Sequence, residues 1–217
     1  QQISNVQEIK ALPNYERKNP TGKDLAVLVL MQPLHFEACR VQPMTLPPPN
    51  FVPKHRSTCS VYGWGTIQNP QKKELKSELS VSQVQIRWVD DCWPFFPTKL
   101  NAKNHRSTIC SAKKGHKLFV VIAYYHCCNS FFPLKTLTFI GDFGGPLVCQ
   151  IGSEVDVLVG ISTPMKIKWY RKSKSLYTNV AFYLKWIEAE MASTTNRDIS
   201  GSSATLIRTH FCISQSL

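Results

Sequence analysis

Acyl transfer by a polypeptide needs four groups: a nucleophile, a base to take its proton, a carboxylate to orient the base, and an oxyanion hole. This chain of 217 residues supplies them unevenly. The segment Gly141-Asp142-Phe143-Gly144-Gly145-Pro146-Leu147-Val148-Cys149 is its most informative stretch, and Phe143 stands at the centre. A benzyl group has no atom that can attack a carbonyl carbon. The six histidines are His35, His55, His105, His116, His126 and His210, and none lies among the first 23 residues. Each reads as a surface residue. Eight cysteines are present, but adjacent Cys127-Cys128 is not a metal spacing, and no His/Cys array supports zinc. No metal and no cofactor are therefore expected.

The elements that must position these residues read as mostly strands. Leu25–Leu30 is a continuous apolar run ending at Pro33, the pattern of a fully buried strand. Cys59–Gly65 and Leu79–Ile86 follow, the second alternating apolar with polar. Val155–Ile161 and Ser175–Val180 are further strands. Ala181–Met191 shifts to helical spacing through Phe182, Trp186 and Ala189. Residues 1–23 read as a polar loop broken by Pro13 and Pro20. Pro43, Pro47, Pro48, Pro49 and Pro53 forbid a central strand or helix and mark an extended connector. Leu118–Ile140 is apolar and aromatic, yet His126, Asn129, Pro133 and Lys135 interrupt it. It reads as an insertion rather than a membrane span. Residues 193–217, rich in Ser and Thr, are expected to be a disordered tail.

The charge is +12, from 26 Lys+Arg against 14 Asp+Glu, and it is unevenly placed. No acidic residue lies between Asp91 and Asp142, nor between Asp156 and Glu188. One-signed stretches create a field that attracts anionic partners. No nucleic-acid motif or interleaved aromatic pattern accompanies the charge, so nucleic acid is not expected. Eight cysteines fit an oxidising compartment once a secretory context is given. Gln1–Asn5 carries neither a basic nor an apolar signal region, so a leader is expected to have been removed or the chain to begin partway through a longer product.

Several motifs agree in order with one family. Gly141–Pro146 resembles the Gly-Asp-Ser-Gly-Gly-Pro nucleophile loop of trypsin-like serine proteases, with Phe143 at the serine position. Lys23-Asp24-Leu25-Ala26-Val27-Leu28 is similar to that family's Asn-Asp-Ile-Ala-Leu-Leu. Val41-Gln42-Pro43-Met44-Thr45-Leu46-Pro47 resembles Val-x-Pro-x-Cys-Leu-Pro, which begins the interdomain connector. Cys59-Ser60-Val61-Tyr62-Gly63-Trp64-Gly65 resembles Cys-x-Val-x-Gly-Trp-Gly, and Leu176-Tyr177-Thr178-Asn179-Val180 with Trp186-Ile187 resembles the last strand and terminal helix. The resemblance runs from about residue 8 to residue 191. It implies an all-β fold: two antiparallel β-barrels, the first incomplete, with a C-terminal α-helix. The implied domain is 1–192, with a partial first barrel at 1–50, a connector at 51–58, and the second barrel and helix at 59–192. An insertion at 111–140 and the tail at 193–217 complete the division. Residues 55–191 are expected to form a barrel plus helix, while the first lobe is partial and aggregation-prone.

The resemblance also assigns roles. Asp24 takes the place of the orienting carboxylate, and Phe143 that of the nucleophile. The base, carried by the family upstream in Ala-Ala-His-Cys, has no histidine to match it. The oxyanion donors would be the backbone N–H groups of Gly141 and Phe143, which survive a side-chain change. Leu137 stands where trypsin-like members carry the pocket aspartate, and Thr163-Pro164 where Ser-Trp binds substrate. Asp142 would pair with a new Ile-Val-Gly-Gly terminus, which this sequence lacks. Cys59 should pair with Cys149, and Cys92 with Cys110. Cys39, Cys127, Cys128 and Cys212 have no family partner, and mispairing or intermolecular disulfides are plausible for them.

The leading expectation is a catalytically inactive, secreted homologue that binds rather than cleaves, with a protein or an anionic glycan as partner. A second is a non-functional product of a decaying or aberrantly spliced gene, which would lack a cooperative unfolding transition. A third is a basic module for sulfated glycans, with Lys166–Lys174 at the old cleft mouth; salt-insensitive binding would exclude it. The fourth is a serine-type endopeptidase working through other residues.

Overall fold

The computed structural model describes residues 2–15, 22–37, 41–64, 79–92, 105–113, 143–152, 155–163, 174–199 and 211–214, with backbone alone at 113, 195–199 and 211–214. Strand β1 is Val6–Ala11 and β2 is Ala26–Leu30. β3 (Thr58–Gly63) and β4 (Ser80–Arg87) are followed by a one-turn helix α1 (Val89–Cys92) and β5 (Thr108–Lys113). β6 (Pro146–Ile151), β7 (Val155–Thr163) and β8 (Lys174–Asn179) precede a 3₁₀ turn at Ala181–Tyr183. Helix α2 (Leu184–Ile199) and β9 (Phe211–Ser214) close the sequence of elements.

Six strands form a closed antiparallel barrel in the order β3-β4-β5-β8-β7-β6. Alternation puts Cys59, Val61, Val84, Ile86, Leu147, Val157, Val159 and Tyr177 into its interior. The closing seam between β3 and β6 has two register pairs, Ser60 with Val148 and Val61 with Leu147. A disulfide between Cys59 of β3 and Cys149 of β6 lies beside it. A second disulfide, Cys92–Cys110, ties α1 to β5. Both pairings implied by the family resemblance are thus formed.

The remaining strands form a three-stranded sheet, β1-β2-β9, in which β2 is central. It is not a loose lobe. Leu12, Leu25 and Val27 share one buried cluster with Leu158 and Ile161 of β7, Val180, and Ile187 of α2. The proline-rich connector is extended as its composition demands, and Thr45 forms a parallel bridge with Val157.

Four sequence expectations are corrected. Residues 6–11 are a strand, not part of a polar loop. Their pattern misleads because Ile9 faces outward while Lys10 turns inward. The Lys10 ammonium is 3.2 Å from a Glu190 carboxylate oxygen and donates to the hydroxyls of Ser193 and Thr194 at 2.8 and 2.7 Å. This clasp accounts for the second correction: the terminal helix continues to Ile199 rather than ending near Met191. The Ser193 and Thr194 hydroxyls also bond back to the Glu190 carbonyl, at 2.9 and 3.0 Å, so these polar side chains find partners within the helix. Third, Phe211–Ser214 of the expected disordered tail pairs with β2 along four residues. The expected insertion at 111–140 also starts later, because Ser111–Lys113 belong to β5; its remainder lies outside the described residues.

Gly160 is closely packed within the barrel wall. A Cβ there would stand 2.8 Å from the Tyr177 Cβ and 3.4 Å from the Leu147 Cβ. Gly160→Ala should therefore cost about 1–3 kcal/mol of overpacking, seen as a lower urea midpoint with an unchanged slope. The Tyr177 phenol is pushed above its ordinary value by burial, opposed by hydrogen bonds from Ser111 and Ser175. Tyr183 is raised by burial too, opposed by Ser107. Between the unfolded and folded pKa values the folded chain holds more protons than the unfolded chain, so stability falls as pH rises above about 10. Alkaline titration followed by tyrosinate absorbance should show ionisation of these two rings delayed and coincident with unfolding.

Candidate functional site

Phe143 sits on the turn that leads into β6. Gly144 has φ +85°, a conformation that favours glycine, and this lets the chain reverse tightly. The turn is pinned to the end of β7: the Gly144 N–H donates to the Ser162 carbonyl at 2.8 Å, and the Ser162 N–H to the Gly145 carbonyl at 2.9 Å. With its backbone fixed, the Phe143 ring is 48% exposed. It lines a groove of about 560 Å³ together with Met44, Tyr62, Trp64, Leu79 and Asp156. Trp64, Met44 and Leu79 are also exposed, at 53%, 46% and 40%. The wall is mainly apolar, and at the turn itself the Phe143 side chain presents only hydrocarbon.

One residue beyond Ser162, Thr163 ends β7 and turns its hydroxyl inward, donating to a carboxylate oxygen of Asp24 at 3.0 Å. Asp24 is fully buried and Thr163 is 3% exposed. An isolated carboxylate at that depth would be costly, and the hydroxyl offsets part of the desolvation. Asp24 reaches this position because β2 starts two residues later and packs directly against β7 and α2. Gly22, with φ +66°, lies close against the Ser107 and Thr108 hydroxyls, leaving no room for a Cβ, and its carbonyl accepts from the Tyr183 hydroxyl at 2.5 Å. The structure thus joins Asp24 and Thr163, and links both to the Phe143 turn through Ser162. No pattern in the sequence announced the Thr163–Asp24 contact. The Thr163 side chain, at the position that the family resemblance gives to the substrate pocket, faces the buried Asp24 carboxyl group.

Leu137, Gly141 and Asp142 lie outside the described residues, as do Cys39, Cys127 and Cys128 and the basic residues Lys166–Lys172. Cys212 occupies the β9 position opposite Leu28. Of the three described histidines, His35 is exposed and only its backbone is hydrogen-bonded, to Gln2, while the other two line a different part of the molecule. His55 stacks on Trp88 with ring centroids 4.7 Å apart, and its Nε2 is 3.9 Å from Asp91. His105 Nε2 lies 2.7 Å from an Asp90 oxygen. Both rings line a separate cavity of about 260 Å³ with Phe51, Trp88 and Phe182, which shares no lining residue with the Phe143 groove. Among the described residues no group of three or more His, Cys, Asp or Glu side chains is placed to hold a metal ion. No described helix is long and apolar enough to cross a membrane.

Comparison with known proteins agrees with this geometry. The family model described as Trypsin matches residues 1–187. A snake venom serine protease, salmonase from Gloydius brevicauda, is 29% identical over 82% of this chain and 58% of its own length. The chain therefore spans well under two thirds of that relative. Two solved inactivated protease paralogues of the scabies mite share the fold. S-I1 has a TM-score of 0.61 at 23% identity over 87% of this chain and 68% of its own. S-D1 has a TM-score of 0.64 at 17% identity over 86% and 68%. Neuropsin, a serine protease expressed in the limbic system of mouse brain, fits comparably, with a TM-score of 0.60 at 23% identity over 88% and 72%. A closed six-stranded barrel, an incomplete second sheet packed on it, the terminal helix and the match over residues 1–187 make this chain a member of the trypsin family.

Proposed function

We propose that this chain is a secreted, catalytically inactive member of the trypsin family that acts by binding rather than by cleavage. The observation that carries this is the half-exposed Phe143 ring, which occupies the nucleophile position of the family motif and forms part of an apolar groove. Where a cleaving enzyme needs a hydroxyl with a base beside it, this turn presents hydrocarbon. Exposed aromatic and methionine side chains gathered in one concavity are the composition of a protein-binding surface. The two disulfides fit an oxidising, extracellular compartment. Two scabies mite paralogues whose names describe them as inactivated have the same fold, which fits a homologue without chemistry.

In this proposal Asp24 is the retained member of the degenerate triad, and Gly141 and Phe143 supply the relic of the oxyanion hole. Leu137 belongs to the altered pocket. The Asp24–Thr163 pair serves to seat β2 on the barrel, and no proton passes through it.

Two outcomes test the proposal. The chain should show no labelling by a serine-directed fluorophosphonate probe and no cleavage of chromogenic peptides between about pH 6 and 9, the range in which a histidine base would work. Phe143→Ser should remain equally inert, because a serine with no base beside it stays protonated and weak. Peptide cleavage by that variant, or probe labelling that maps to one residue of the natural chain, would overturn the proposal. Separately, Thr163→Val should lower stability by roughly 1–3 kcal/mol, the cost of taking a hydrogen-bond partner from a buried polar group, and Thr163→Ser should restore most of it. Equal urea midpoints for the valine variant and the natural chain would show that Asp24 does not depend on Thr163.

A further inference from the structure

The cavity of about 260 Å³ that holds His55 and His105 is built from separate segments of the chain. The connector brings Phe51, the end of β4 brings Ile86 and Arg87, β5 brings Ile109, and the 3₁₀ turn brings Phe182. Hydrogen bonds fix these segments against one another. The Arg56 N–H donates to the Ile86 carbonyl at 2.8 Å, and the Ile86 N–H to the Ser57 carbonyl at 2.9 Å. Beside β5, the Asn179 side-chain amide donates to the Arg106 carbonyl at 2.9 Å, and the Asn179 N–H to the Ser107 carbonyl at 2.8 Å. The Cys92–Cys110 disulfide ties α1 to the same wall. The walls are thus held in place without a ligand, and binding to such a preformed site loses little freedom.

The lining has two chemistries. Phe51, Ile86, Trp88, Ile109 and Phe182 make an apolar wall. Trp88 stacks on His55, which holds the indole in position, yet the residue stays 62% exposed. Arg87 and Arg106 also line the cavity. Among the described residues neither guanidinium forms an ion pair. Asp90 is the one acidic residue of the lining, and its carboxylate oxygen is engaged 2.7 Å from His105 Nε2. Positive charge is therefore in excess beside an aromatic wall.

We propose that this cavity binds a small aromatic carboxylate, with its ring against Phe51, Trp88 and Phe182 and its charge taken by Arg87 and Arg106. Aromatic walls favour offset-stacked or edge-on contact with a further ring. The guanidinium fork matches the plane of a carboxylate. Pockets for drug-sized ligands enclose about 300–1,000 Å³. This cavity is slightly smaller, which suits one ring on a short acid arm. A single carboxylate also suits the wall better than a doubly charged phosphate ester, whose desolvation against hydrocarbon costs more. The site shares no lining residue with the Phe143 groove, so it stands or falls independently of that groove and of whether the chain cleaves anything.

Binding of a charged ligand and its neutral twin tests the proposal. In the full chain, phenylacetate should give a saturable shift of the Trp88 indole N–H resonance, assigned by its disappearance in Trp88→Phe. Phenylacetamide has the same shape without the charge and should bind about tenfold more weakly, the worth of a hydrogen bond to a charged group. Arg106→Ala, at an exposed position, should remove most of that difference by weakening the acid alone, and Arg87→Ala should do the same. No saturable shift, or equal binding of acid and amide, would overturn the site. Alanine variants that bind the acid as tightly as the natural chain would overturn the role of the two arginines. A peptide ending in phenylalanine that binds at least about tenfold more tightly than phenylacetate would replace the small acid with a chain terminus and overturn the assignment. The acid–amide ratio is read in the natural chain, so the test stands even where a variant does not fold.

Discussion

The barrel depends on a seam of two register pairs. β3 and β6 meet through Ser60–Val148 and Val61–Leu147, the shortest of the pairings that close the ring. Were the seam to open, both strands would become edges, and the interior between them would be exposed to water. The Cys59–Cys149 bond sits in the same two strands and removes much of the freedom to open. Everything in the candidate site is downstream of this closure. β6 carries the Phe143 turn, β7 carries Ser162 and Thr163, and β7 offers the surface on which β2 and Asp24 rest. A chain that could not shut the seam would have neither groove nor buried carboxylate.

The same closure separates the protein's chemistry from its shape. A backbone turn with Gly144 in the left-handed region needs only glycine and two hydrogen bonds to β7. Nothing in those requirements asks for a hydroxyl at position 143. The turn therefore accepts phenylalanine without disturbing the barrel, and the ring extends an existing apolar wall. The structural neighbours make the point from outside: inactivated paralogues and a serine protease superpose on this chain about equally well. Fold sets where a reacting group would stand, and the side chain decides whether one is there.

Much of the barrel was legible in the sequence because its strands obey simple patterns. The apolar run at 25–30, the alternation at 79–86 and the segments at 155–161 and 175–180 correspond to β2, β4, β7 and β8. The disulfide partners followed from family motifs, not from spacing. What escaped notice was structure held by distant partners. β1 presents Ile9 to solvent and buries Lys10, so its hydropathy is inverted. The last turns of α2 contain Ser193, Thr194 and Thr195, poor helix formers made acceptable by Lys10 reaching across from β1. β9 is four residues within a Ser- and Thr-rich stretch, and only the edge of β2 gives it a reason to be extended. The Thr163–Asp24 bond spans 139 positions, beyond any local pattern.

The Cys59–Cys149 bridge also governs how the chain can lengthen. It encloses a ring with a sequence separation of 90. Once strand ends are held together, the entropy of the intervening loop grows only with the logarithm of its length, roughly 0.6 kcal/mol for each doubling. Loop size inside the ring is thus weakly coupled to barrel stability. A protein built this way tolerates inserted residues between its strands far more readily than a methyl group added at Gly160.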